Sequence, residues 1–172
     1  MENASINTLH NLLDYDVSKF ICAEVELKNS LPIWIEEASS IQLKNVLEKY
    51  LEFVRHHVKR LDEFIQEEQI GLLDVSNPVM LAYIKETDER LASCANAAVK
   101  DACLLSCIQE INHYKICFYG TGAAFSTVLE LEKSAAMFRE AEVNEKHIDD
   151  RLSQLALYEI NKKAKSPISL SE

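Results

Sequence analysis

Only three glycines and three prolines punctuate this chain of 172 residues, although 48% of its residues are hydrophobic. A chain of that length must make several connections, and so few breakers leave room only for long elements. The apolar spacing decides their type. Leu13, Val17, Phe20, Leu27 and Leu31 recur at threes, fours or their sum, which is the spacing of one helical face. The gap in that series is Glu24. A second stripe, Leu43, Leu47, Tyr50, Val54, Leu61 and Phe64, has His57 in its gap and a cap at Ser39 or Ser40. Pro32 falls inside the first pattern, where its missing N–H predicts a kink or break.

Periodicity lapses from Gln66 to Ser76, the longest expected connection, and Asn77–Pro78 then open a third helix running to about Ala95. A fourth helix, from about Ala97 to Phe125, is apolar on two stripes. One contains Leu104, Cys107, Ile111, Tyr114 and Phe118, and the other Leu105, Ile108, Ile116 and Tyr119. Such a helix is enclosed on several sides. The fifth follows Ser126 and Thr127 and carries Phe138, Ala141, Ile148, Leu152 and Leu155, with Glu145 in the gap. No repeat and no strand-like alternation is visible. The pattern predicts one all-α domain over residues 1–160, followed by a frayed tail over 161–172 that has no apolar period. Its expected architecture is a four-helix bundle of two antiparallel helical hairpins, with the short third helix in the crossover.

A net charge of −10 and a pI near 5.0 oppose binding to phosphate backbones and anionic lipid, so neither nucleic acid nor membrane is an expected partner. The opening MENASINTLHNLLDYD has no basic segment ahead of an apolar run, and the longest uncharged stretch, Ile116 to Leu129, is 14 residues. A spanning helix needs roughly 20. Export is not indicated, and a cytoplasmic location is expected. The five cysteines, Cys22, Cys94, Cys103, Cys107 and Cys117, contain no C-x-x-C and read as reduced thiols, although Cys103 and Cys107 can share a helix face. YGTGAAF, at 119–125, lacks the preceding strand and third glycine of a dinucleotide site, and small residues permitting close helix packing explain it better.

The remaining signal is polar residues on apolar stripes. A carboxylate removed from water needs a partner or a metal. If the first hairpin turns near Ser39, Glu24 lies level with about residue 54, close to His57. If the second turns near Thr127, Glu145 lies level with about residue 109, within a turn of Asn112 and His113. Carboxylates and imidazoles converging from four helices are how bundles hold two iron or manganese ions. The set here is incomplete: Val54 stands three residues before His57, and Glu110, three before His113, lies about a turn from Asn112. Seam histidines are also commonly hydrogen-bonded core residues, so the spacing leaves both readings open.

Four segments, AEVELKNSLP at 23–32, YLEFVRHHVKRLDEF at 50–64, QEINHYKICFYGT at 109–121 and NEKHIDDRL at 144–152, resemble the YciF-like branch of the ferritin-like superfamily, a domain of unknown function associated with bacterial stress responses. The resemblance covers about residues 6–158. It implies a helical bundle related to rubrerythrin, a homodimer formed through exposed apolar helix surface, and motif residues gathered at a di-metal centre. Carried over position by position, it puts Glu24, His57, His113 and Glu145 at metal-ligand places, whereas Phe53, Asn112, Lys115 and Asn144 stand where the family has acids. An ammonium at Lys115 would repel a divalent ion and could pair with Glu24 or Glu145 instead. The expectation is therefore a stress-associated protein, not an enzyme, with a degenerate and metal-free centre and no cofactor. The alternatives are an iron- or manganese-binding oxidoreductase or peroxide-handling ferritin relative using Glu24, His57, His113 and Glu145, and a pure protein-interaction module.

Overall fold

A computed structural model describes residues 6–70 and 76–165, and every regular element in them is helical. Helix α1 is Leu9–Glu37, α2 Ile41–Glu67, α3 Pro78–Ala92, α4 Ala97–Val128 and α5 Glu132–Leu155. A π-helical turn, Ala156–Ile160, leads into the short α6, Asn161–Lys165. Helix α1 pairs with α2 and α4 with α5, while α2–α5 and α1–α4 contacts join the pairs and α3 lies against α4 and α1. The apolar stripes of all the long helices turn into one core, in which Leu13, Leu27, Leu47, Val54, Ile108, Phe138 and Leu152 are buried. Each such side chain contributes about 1.5–3 kcal/mol on leaving water.

Local sequence explains most helix starts. The side chains of Thr8, Ser40, Asn77 and Asn96 accept from the backbone N–H groups of Asn11, Leu43, Met80 and Val99, respectively, at 2.9 to 3.3 Å. Pro78 occupies the first turn of α3, where a missing N–H is harmless. A further device fixes the α1–α2 corner. The carboxylate of Asp101, in the second turn of α4, accepts from Ser39 N at 2.8 Å, Ser39 Oγ at 2.5 Å and Ser40 N at 2.9 Å.

Several boundaries differ from the sequence expectation. Helix α1 continues through Pro32 to Glu37 without a break. Pro32 is exposed, so the carbonyl it leaves unbonded lies on the hydrated side, while Leu31 and Trp34 are buried and Trp34 Nε1 donates to Asp88 Oδ1 at 2.8 Å. Helix α3 stops at Ala92, three residues earlier than expected. Helix α4 runs past Ser126 and Thr127 because the Thr127 hydroxyl bonds back to the Ala123 carbonyl at 2.7 Å instead of capping a new helix. Its end is a left-handed residue, Glu130 at φ 59°, with Leu131 N reaching back to Ser126 O at 2.9 Å. The segment 161–165 is helical, and the remainder of the expected tail, 166–172, lies outside the described residues, as do residues 1–5 and 71–75. None of the described helices is long and apolar enough to cross a membrane.

The glycines of YGTGAAF lie at close helix approaches. A Cβ on Gly122 would meet the Phe138 ring at 3.1 to 3.3 Å, and one on Gly120 would meet the Glu142 carboxylate at 3.3 Å.

Candidate functional site

The stripe gaps converge. Glu24 on α1, His57 on α2, Lys115 on α4 and Glu145 on α5 form one buried cluster near mid-length of the helices. The displaced second turn accounts for the register: Glu145 lies fifteen residues beyond Glu130, and fifteen residues before Glu130 is Lys115. Asn112, Lys115 and Tyr119 follow one face of α4 at intervals of three and four, and all three are buried.

The ammonium of Lys115 lies between the two carboxylates, 3.1 Å from Glu24 Oε2 and 2.7 Å from Glu145 Oε1. It also sits 4.6 Å from the centroid of the Tyr50 ring, on the face that attracts a cation. His57 Nδ1 approaches the same acids, 3.3 Å from Glu145 Oε1 and 3.7 Å from Glu24 Oε1. Asn112 Nδ2 donates to Glu145 Oε2 at 2.6 Å and to the Glu145 carbonyl at 3.1 Å, and the Tyr119 hydroxyl donates to Glu24 Oε1. Lys115 Nζ, His57 Nδ1, Glu24 Oε2 and Glu145 Oε1 face one another outside the angles of a well-aligned hydrogen bond. Charge, more than hydrogen-bond direction, holds this group together.

The environment sets the protonation states. Burial alone would push the Glu24 carboxyl up, but the Lys115 ammonium beside it, with His57 and Tyr119, outweighs burial and brings it below its ordinary value. Burial would likewise push the His57 imidazole down, and its contacts with Glu145 and Glu24 outweigh that and raise it. His57 thus favours the imidazolium. Burial, reinforced by the two acids, drives the Tyr50 and Tyr119 hydroxyls well above their usual range, so both stay protonated, and the Tyr119 hydroxyl is the one that donates, to Glu24. Two cationic groups face two acidic ones.

His113 lies elsewhere. Its side chain is 64% exposed, and its Nε2 stands 3.2 Å from Asp149 Oδ1 on the outside of the α4–α5 pair. One residue advances a helix by about 100°, so the neighbour of buried Asn112 points out. Asn144 Nδ2 stands 3.5 Å from His57 Nε2, and the half-buried Phe53 ring stacks beside the His57 imidazole. Glu24, His57 and Glu145 each turn one ligand-type atom toward the others, all within 4.8 Å. The opening beside His57, lined also by His56, Arg60, Tyr119 and Asn144, has a volume of about 10 Å³, which suits a single water. Tyr50 and Tyr119 belong to the cluster but read in the sequence as ordinary stripe members. Their signal is the shared helical face with His57 and Lys115.

These features define an all-helical domain with ionisable groups enclosed at its centre. The chain belongs to the family described as a domain of unknown function, DUF892, whose model matches residues 8–165. It is similar to protein YciF of Escherichia coli strain K12, with 27% identity over 163 residues that cover 94% of this chain and 98% of the relative. Among solved structures it resembles the E. coli stress protein YciF, with a TM-score of 0.85, 26% identity and 91% of this chain covered against 99% of that one. YcfI from Rhodopseudomonas palustris, to which a structural role has been ascribed, gives a TM-score of 0.85 at 27% identity, covering 91% of this chain and all of that one.

Proposed function

We propose that this protein is a ferritin-like four-helix bundle acting as a non-enzymatic, stress-associated homodimer, in which a di-metal centre has been replaced by the side chains of Lys115 and His57. The observation that carries this reading is the Lys115 ammonium between Glu24 and Glu145, at 3.1 and 2.7 Å. An ion shared by those acids would have to lie beside a fixed positive charge. A protonated His57 has no lone pair to offer, and Asn112 supplies a donor and no negative charge. The residues present therefore do not fit a divalent metal, whereas an ammonium plus an imidazolium supplies the two positive charges such an ion would bring. The small opening beside His57 leaves little room for a substrate. The stress role rests on the E. coli relative. Exposed apolar side chains such as Ile41 and Val143 supply surface for a second copy.

A second reading, an iron- or manganese-binding oxidoreductase, is favoured by the three ligand-type atoms of Glu24, His57 and Glu145 gathered within 4.8 Å. Elemental analysis of freshly purified protein separates the two. The proposal expects iron and manganese far below one ion per chain. Near-stoichiometric metal that disappears in Glu24→Ala or Glu145→Ala overturns it. Light scattering on the same sample should give a mass of twice 19.6 kDa, and a monomer removes the homodimer.

A further inference from the structure

Helices α2 and α5 pack side by side, and a groove runs between their outward faces. On α2, Gln42, Asn45 and Lys49 follow one another at intervals of three and four residues, and on α5, His147, Arg151 and Leu155 do so at intervals of four. Each set therefore forms one row along its helix. Val46 and Ile148, both buried, close the floor. The groove has a volume of about 250 Å³, and its lining contains no carboxylate. That departs from the rest of a chain with 28 acidic and 18 basic residues, in which four other openings each include at least one Asp or Glu. Lys49 pairs with Glu52 at 2.7 Å, outside the lining. Arg151 spends one N–H on the neutral Gln154, at 3.1 Å, and neither Arg151 nor His147 has an acidic partner among the described residues.

Charge decides what such a groove can hold. A second copy docked on it through a twofold axis would set the same patch against itself, bringing its own cations together. A polyanion would meet the field of a chain whose net charge is −10. One negative charge on an apolar body suits both the walls and the floor. We propose that the α2–α5 groove is a binding site for a small monocarboxylate. The planar fork of Arg151 takes the carboxylate, a geometry in which guanidinium and carboxylate make two parallel hydrogen bonds. His147, one turn away, and Lys49, on the facing wall, add donors, and the apolar body rests on Val46, Ile148 and Leu155. Sites for drug-sized molecules measure about 300–1,000 Å³, so this occupant is smaller than those. None of Glu24, His57, Lys115 and Glu145 lines the groove, and the binding does not depend on what occupies the buried centre.

The test titrates the isotope-labelled full chain at pH 7 with octanoate, with its uncharged analogue octanamide, and with inorganic phosphate, following NMR shifts. The expected result is saturable shifts with octanoate, centred on Asn45, His147 and Arg151, with a dissociation constant of about 1 mM or lower. Octanamide and phosphate should bind at least about tenfold more weakly, and Arg151→Gln should weaken octanoate by about tenfold or more, the scale of one lost charge-assisted hydrogen bond. Arg151 is exposed, so the variant should keep the wild-type spectrum away from the groove. Lys49→Gln, on the facing helix, supplies an independent second variant with a smaller loss. Absence of saturation, shifts centred elsewhere, equal binding of octanamide or phosphate, or an unchanged Arg151→Gln affinity overturns the proposal. So do groove signals that move when ligand-free protein is diluted, which would seat a second copy there.

Discussion

Replacing Lys115 with Met isolates the contribution of its charge. Methionine keeps most of the side-chain volume, so the packing loss stays below about 1.5 kcal/mol. The ammonium now stands 2.7 and 3.1 Å from two acids, all three side chains being 0% exposed. Removing one partner of a buried ion pair costs about 3–5 kcal/mol, because two buried acids without water are then left to share the single His57 cation. A domain of this size unfolds with roughly 5–15 kcal/mol in total, and each kcal/mol moves Tm by about 2–4 °C, so Tm should fall by about 6–20 °C. Urea titrations of wild type and variant at pH 7 measure the loss directly. The variant also carries a pH signature. Without Lys115, burial holds the Glu24 carboxyl above its unfolded value, so lowering the pH through that raised value neutralises it and the deficit relative to wild type shrinks. Adding Glu145→Gln should recover part of the loss at neutral pH. A difference under about 1 kcal/mol at pH 7, or one that does not shrink on acidification, refutes the account of Lys115 as the counterion.

In the wild-type protein two opposite shifts define a window of maximal stability. Glu24, lowered from 4.5, contributes fully above that value and loses its contribution as pH falls through its lower folded pKa. His57, raised from 6.5, contributes fully below 6.5 and loses its contribution as pH climbs through its higher folded pKa. Urea midpoints across the range should therefore be highest between those two values, with Glu24→Gln flattening the acid limb and His57→Gln the alkaline one. The two glycines of α4 should respond differently to alanine in thermal melts. Gly120→Ala meets only the end of the flexible Glu142 side chain and should gain up to about 1 kcal/mol of helix propensity. Gly122→Ala meets the Phe138 ring, itself packed against Phe64, Phe118 and Tyr119, and should lose about 1–3 kcal/mol.

Glu24, His57 and Glu145 were legible as gaps in apolar stripes, since a polar residue on a core-facing stripe is drawn inside with its neighbours. Their depth was harder to read. Placing the second turn at Thr127 put Glu145 level with residue 109, whereas the turn at Glu130 puts it level with Lys115, and the difference rests on a left-handed residue that is not glycine. Asn112 and His113 are adjacent in one motif but lie about 100° apart on a helix, so the sequence motif did not tell which of them faces the core. Tyr119 was hidden because its ring satisfies the stripe and only its hydroxyl reaches Glu24. The missing N–H of Pro32 is visible in the sequence, whereas the solvent-facing orientation that makes it tolerable is set by the packing of Leu31 and Trp34. The Asp101 contact spans 62 residues to Ser39 and leaves no trace in any local pattern.

That last contact also bears on how the protein assembles. Three donors at the α1–α2 corner are satisfied by one carboxylate that belongs to the start of α4, so the first two helices cannot complete their own bend. Chain emerging up to residue 70 would hold a frayed elbow until the later half arrives to fasten it. The bend between the first two helices is thereby tied to the later half of the chain, and a fragment containing only α1 and α2 lacks that clasp.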